Sequence, residues 1–226
     1  EAGLAWDHSG GASNGNLYLV YTDATALPGQ PNQTQVRYVT SKDGGQTWVN
    51  DRAISAAVSG SSFEPRIAVD QTTGNLASSW YDTRADATFA TTQFFADLSL
   101  NGGTSFGNDF LVSNLPAGAQ GPPQPPANIG LNRSDTYSYS ATFNDNNNAF
   151  GDYSALDFYK GVFRPAWIDN SNNTLDNPFG NFAQPNLYTI AVSVPEPTTL
   201  ALLLLGVPIV GLARRRQKVA RGGQQN

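Results

Sequence analysis

The sequence has no cysteine, no methionine and a single histidine, His8. Without Cys, neither a disulfide framework nor a thiolate metal site can form. With one His, a Ser–His–Asp arrangement would have to use His8, which sits in "WDHSGG" and reads as a surface turn residue. Charge is also scarce, at 14% of the 226 residues. Residues 1–193 hold eight Lys/Arg against seventeen Asp/Glu, a net of about −9. So acidic a body excludes nucleic acid as a partner, because phosphate binding needs basic patches. A chain without Met that opens "EAGLAWD" leads to the expectation that translation starts upstream, with an export signal or a larger piece removed.

Gly, Pro and aromatics are plentiful, with 22 Gly, 14 Pro and 11% Phe, Trp and Tyr. This composition favours short strands and many turns over helices. Three segments repeat. "LAWD" (Leu4–Asp7) is followed by "GNLYLVYTD" (Gly15–Asp23), "IAVD" (Ile67–Asp70) by "GNLASSWYD" (Gly74–Asp82), and "SALD" (Ser154–Asp157) by "GVFRPAWID" (Gly161–Asp169). The first Asp recurs after 63 and then 87 residues, the longer period containing the Pro-rich insertion Leu115–Pro126. Each unit reads as a strand ending in Asp, a turn, and a strand closing on aromatic-x-Asp. Two more strands follow in the first two units: "QVRYVTS" leads into "KDGGQTW", and "TQFFADLS" into "LNGGTSF". Four short antiparallel strands, repeated, predict an all-β fold of propeller blades, about three of them present.

The stretch Ser41–Trp48, "SKDGGQTW", carries the turn chemistry. A hairpin tip needs φ > 0, which Gly45 and its neighbour supply. Asp43 is placed to accept turn N–H groups, and Ser41 and Thr47 to add side-chain bonds. Trp48 is predicted to fold back and plug the space beneath the turn. The pattern S-x-D-x-G-x-T-W resembles the Asp box, or BNR repeat, of sialidase-like β-propellers, with Ser41, Asp43, Gly45, Thr47 and Trp48 at its five fixed positions. Ser99–Phe106 is a degenerate second copy. The resemblance implies a structural role for these residues and a ligand site on the face opposite the boxes.

That opposite face collects the ends of the second strands and the starts of the first: Glu64, Arg66, Tyr81, Asp82, Arg84, Asp152, Tyr153 and Asp169. Carboxylates, guanidiniums and aromatics around one mouth suit a sugar or a carboxylate ligand. A sialidase uses an Arg triad, a Tyr nucleophile with a Glu base, and an Asp acid/base. Arg66 and Arg84 give two Arg, but "GDY" at Gly151–Tyr153 is not a Tyr–Glu pair, so no catalytic set is assignable. No cofactor is expected. A loose structural Ca²⁺ loop at "FNDNNNAFGD" (Phe143–Asp152) is the one metal reading, and it departs from the EF-hand pattern at Ala149.

The C-terminal segment reads Val194-Pro195-Glu196-Pro197, then an apolar run, then Arg214, Arg215 and Arg216. A hydrophobic helix over about 198–213 is short for a span of ~20 residues, but snorkelling Arg side chains extend it. The basic flank stays cytoplasmic and leaves the body outside. Motif, helix and basic cluster in this order resemble the PEP-CTERM sorting signal. The resemblance implies export in a Gram-negative-type bacterium, an exosortase-type membrane enzyme as partner, and display at the cell surface, often among exopolysaccharide. The sequence therefore divides into a propeller body over 1–193 and a sorting segment over 194–220. The expected function is an exported module contacting glycans or other polymers. An exo-acting sialidase-type hydrolase and a structural matrix protein are the alternatives.

Overall fold

The computed structural model describes residues 1–24, 33–55, 60–85, 92–113, 154–169 and 186–194. The chain divides into two units, Glu1–Ser193 and Val194–Asn226, and every described strand lies in the first. Strands β1 (Ala2–Trp6), β2 (Leu17–Asp23), β3 (Gln35–Ser41) and β4 (Val49–Ala53) form one antiparallel sheet in chain order. Strands β5 (Ser62–Val69), β6 (Leu76–Asp82), β7 (Gln93–Ser99) and β8 (Phe110–Leu111) form a second with the same order. No described residue is helical.

The third sheet departs from the predicted unit. It holds β9 (Ala155–Tyr159), β10 (Val162–Asp169), β11 (Asn186–Thr189) and β12 (Val192–Ser193). Residues of β10 that pair with β9 also pair with β11 or β12, so the latter two run end to end along the edge opposite β9. They act as one interrupted strand, and the described residues add no fourth strand beyond it. The turn also falls elsewhere than the repeat predicts. Asp157 lies mid-strand opposite Arg164, and the chain reverses at Lys160–Gly161, whose φ values of 50° and 70° suit a two-residue type I′ turn.

The sheets stack in chain order, with β5 against β1 and β2 on one side and β9 on the other. Between the first two sheets, Tyr18, Val20, Val36, Tyr38 and Ile54 meet Ile67, Val69, Leu76, Trp80, Phe95 and Leu111. Between the second and third, Phe94 stacks on Trp167 at 5.1 Å and Phe110 meets Phe163 at 6.0 Å. The middle sheet is covered on both faces, so β6 and β7 are buried throughout, polar residues included. The first sheet is covered on one face only. Its Leu4 and Trp6 are 62% and 54% exposed, whereas their repeat equivalents Ile67 and Val69 are buried.

The two Gly-Gly hairpins share one hydrogen-bond scheme. Ser41 Oγ donates to Asp43 Oδ1 (2.7 Å) and accepts from Gly45 N (2.9 Å). Asp43 then accepts from Thr47 N (2.9 Å) and Thr47 Oγ1 (2.5 Å). In the second sheet Ser99 bonds Asn101 (2.9 Å) and Gly103 N (2.9 Å), and Asn101 bonds Ser105 N (2.9 Å) and Ser105 Oγ (2.7 Å). These bonds hold the Asp43 carboxyl down at about 2, Thr47 contributing most.

The aromatic that ends each hairpin behaves differently from prediction. Trp48 folds back against its turn, its ring 3.8 Å from where a β-carbon on Gly45 would sit, but stays 38% exposed. Phe106, at the same position in the second sheet, packs edge-on against Tyr38 at 5.0 Å, with the Arg52 guanidinium over its ring. Its partners belong to the preceding sheet. In the second sheet the plug therefore seals the gap between sheets.

Two stability comparisons follow from this geometry. Phe106→Ala is expected to cost about 2 kcal/mol and Trp48→Ala less than about 1, measured by urea unfolding of the full chain. Asp43→Asn reproduces the residue of the second hairpin and should barely move Tm, while Asp43→Ala strands the Thr47 N–H and Ser41 hydroxyl and should lower it clearly.

Candidate functional site

The residues predicted to form a ligand face are held largely by protein contacts. Tyr81 is fully buried between Phe63 and Phe94. Its hydroxyl donates to Ile168 O (3.0 Å) and accepts from Ile168 N (2.8 Å), so it clamps β6 to β10. Asp82, 1% exposed, accepts from Ser62 Oγ (2.8 Å), Arg84 N (2.8 Å) and Arg84 Nη2 (2.5 Å). Arg84 also pairs with Asp109 at 2.7 Å and lies over the Phe95 ring at 4.2 Å. Burial opposes its charge, but the bonds to Asp82 and Asp109 outweigh that and push its pKa up. Tyr81 thus links two sheets and Asp82 and Arg84 cap the end of β6, with Arg84 Nε left without a hydrogen-bond partner.

Arg66 and Glu64 sit at a bulge in β5. Register shifts between Phe63 and Arg66, and Glu64 adopts φ 52°. Arg66 Nε donates to Ser154 O (2.7 Å), Nη1 to Pro65 O (3.0 Å), and Nη2 pairs with Glu1 at 3.0 Å. Ser154 Oγ in turn reaches Glu64 O at 3.3 Å. The bulge therefore ties β5 to the start of β9. Asp152 and Tyr153 lie outside the described residues, as do the side chain of Asp169 and the whole of Phe143–Asp152. Among the described residues, no group of three or more His, Asp or Glu could hold a metal.

The turns between first and second strands lie at the hairpin end, as the topology requires. Asp70 is wholly buried there and reaches across to the third sheet. It accepts from Thr72 N and Oγ1 (2.9 and 2.7 Å), Lys160 N (3.2 Å) and Gly161 N (2.7 Å). Burial alone would raise its pKa, but these bonds outweigh it and pull the value down. Asp7 is its repeat equivalent and accepts from Ser9 N at 2.8 Å. His8 is exposed beside Trp6, with its N–H on Gln71 Oε1 at 2.7 Å.

Two cavities lie between the first and second sheets, both at residues outside the predicted set. One, of about 290 Å³, is bounded by Arg52, Ile54, Asp97, Phe106 and Gly107. Asp97 is 2% exposed. Burial pushes its carboxyl up to about 7, helped by the nearby Asp109, although the Leu98 and Gly107 N–H groups oppose the shift. The repeat held a signal for it, because Asp97 occupies the position of Val39 in the first sheet. The other cavity, of about 360 Å³, opens at the hairpin end among Asn16, Lys42, Asn50, Asn75, Leu100 and Thr104. Four separate loops build it, so no single stretch of sequence announces it.

The shift of Asp97 fixes a pH dependence. Its folded pKa exceeds the ordinary ~3.9 of an unfolded Asp, so between about pH 4 and about 7 the folded state holds the extra proton. This contribution to stability is complete below that window, declines as pH rises through it, and is gone above about 7. Asp97→Asn should flatten the decline. Urea midpoints at pH 4 and pH 8 should show the variant near wild type at the lower pH. At the higher pH it should be more stable by a few kcal/mol, on the order of 2–4.

Comparison with known proteins adds a sorting motif and a distant fold likeness. Residues 193–217 match a PEP-CTERM protein-sorting motif. No curated protein matches the chain. Among solved structures, the "Hadza microbial sialidase Hz136" aligns at a TM-score of 0.47 and 13% identity, over 84% of this chain and 34% of that one. The chain thus spans about a third of the length of that structure.

Proposed function

We propose that this chain is an exported, surface-sorted protein whose body is a sialidase-like β-propeller segment with Asp-box hairpins, and that it contacts glycans or other surface polymers without catalysis. The sorting motif at 193–217 carries the reading. It begins where β12 ends, so the recognition sequence from Val194 to Pro197 follows the last strand directly. An exosortase-type membrane enzyme is the processing partner. The apolar run over about 198–213 is the transient anchor, and Arg214, Arg215 and Arg216 hold its end in the cytoplasm. Both lie outside the described residues, among which no helix is long and apolar enough to cross a membrane.

The blade reading is supported by two successive four-stranded antiparallel sheets in the same order, each closed by the same hairpin scheme. The non-catalytic reading is supported by Tyr81, Asp82 and Arg84. Each was a candidate for substrate contact, and each is consumed by internal bonds.

Replacing Pro195, Glu196 and Pro197 by Ala in the full chain tests the sorting step. In a host with an exosortase, the wild-type chain is expected at the surface in a shortened form. The variant is expected at full length in the inner membrane. Identical fractionation and size for the two would overturn the reading.

A further inference from the structure

The cavity at the hairpin end is lined by two side-chain amides, Asn50 and Asn75, that bond no other described residue. Asn75 is 7% exposed, and its backbone N–H bonds Thr73 Oγ1 at 3.2 Å. Its side-chain amide lines the cavity and has no protein partner among the described residues. The amide opens on the cavity, where it can take both a donor and an acceptor from outside. Asn50 stands on the same cavity wall at φ 61°, in the left-handed region where Asn is enriched among non-glycine residues. Lys42 is exposed on the same wall.

We propose that this cleft binds one unit of a neutral, hydroxyl-rich saccharide. The Asn50 and Asn75 amides both donate and accept, while Asn16 and Thr104 on the same wall are bonded to Tyr18 and Asn101. A sugar ring presents the same mixed pattern. Leu100, 49% exposed at the rim, offers an apolar surface to the C–H face of a ring. No carboxylate lines the cleft, which removes the means to hold a cation. The acidic body, with its net of about −9, repels polyanions and favours an uncharged ligand. At about 360 Å³ the cleft lies at the small end of the range for ligand sites, which fits a single ring rather than a long segment.

The second hairpin keeps the cleft open and shaped. Tyr18 Oη donates to Gly102 O at 3.3 Å, and Arg52 Nη2 to Gly103 O at 2.6 Å. These bonds fix the wall formed by Leu100–Thr104 against the first sheet. The cleft is therefore preformed, and binding orders little of the protein.

This inference rests on the glycan-contacting reading above, but it places the contact at the hairpin end. The test is calorimetric titration of the full-length chain in mild detergent with short oligomers of neutral hexoses and, separately, of hexuronic acids. A neutral oligomer is expected to bind. Asn75→Ala and Asn50→Ala should each weaken binding about tenfold, the loss of one hydrogen bond to the ligand. Tyr159→Ala, on the third sheet, should leave binding unchanged. Circular dichroism confirms that each variant is folded, and Asn50→Ala, at an exposed position, keeps the test valid if Asn75→Ala unfolds. Binding of uronic oligomers alone would overturn the neutral assignment. Neutral binding unaffected by the cleft variants but lost with Arg66→Ala would overturn the cleft and leave the glycan reading standing. No binding of any oligomer by the folded wild-type chain would overturn both, while the sorting step, read by fractionation, is untouched.

Discussion

A β-carbon on Gly103 would sit 2.0 Å from the Tyr38 hydroxyl and 3.0 Å from Tyr18 and Leu76. The second hairpin can approach the first sheet only because that position carries no side chain. The diglycine thus meets two requirements at once. It supplies φ values of 63° and 79° for the turn, and it admits two tyrosines from the neighbouring sheet. Everything between the first two sheets follows from this close approach. Arg52 reaches the Gly103 carbonyl, Phe106 seats against Tyr38, and the two cavities open on either side of the contact.

The first hairpin has the same two glycines without the same neighbour. Its internal bonds form regardless, because Ser41, Asp43 and Thr47 satisfy one another locally. Its tryptophan folds back toward Gly45 but stays partly exposed. Local turn chemistry and packing between sheets are thus separable: the former depends on five residues and the latter on the adjacent sheet. The exposed Leu4 and Trp6 tell the same story for the strand surface, since their equivalents in the second sheet are covered.

Much of this was legible in the sequence. The repeat gave the strands of the first two sheets, and the spacing from Ser41 to Thr47 predicted its own hydrogen bonds. The third sheet was harder. "SALD" looks like "IAVD", but the turn sits at Lys160–Gly161, because glycine at the second of two turn positions determines the reversal and the Asp does not. The candidate site was harder still. An acid or arginine at a strand end has the same sequence appearance whether it caps the next turn or faces a ligand. Asp82 and Arg84 cap, and their partner Asp109 lies in a different loop. Asp97 was legible only through the repeat, which sets it at the position of Val39; alternation alone marks inward positions as apolar. Asn75 shows the same limit, because what makes its amide available is the absence of a partner in three other loops.

Asp70 bears on how the chain could lengthen without losing its fold. Its carboxylate binds backbone N–H groups of Lys160 and Gly161, across 43 residues between β8 and β9, where only 8 separate β4 from β5. Closing the longer connection costs about 1.5 kcal/mol more, because loop entropy grows only with the logarithm of length. Hydrogen bonds to a charged group contribute roughly 1.5–3 kcal/mol, enough to offset that difference. A buried anion that docks one sheet onto the next therefore makes the fold tolerant of a longer intervening sequence. Insertions of the Leu115–Pro126 kind can accumulate there while the register of the third sheet stays fixed.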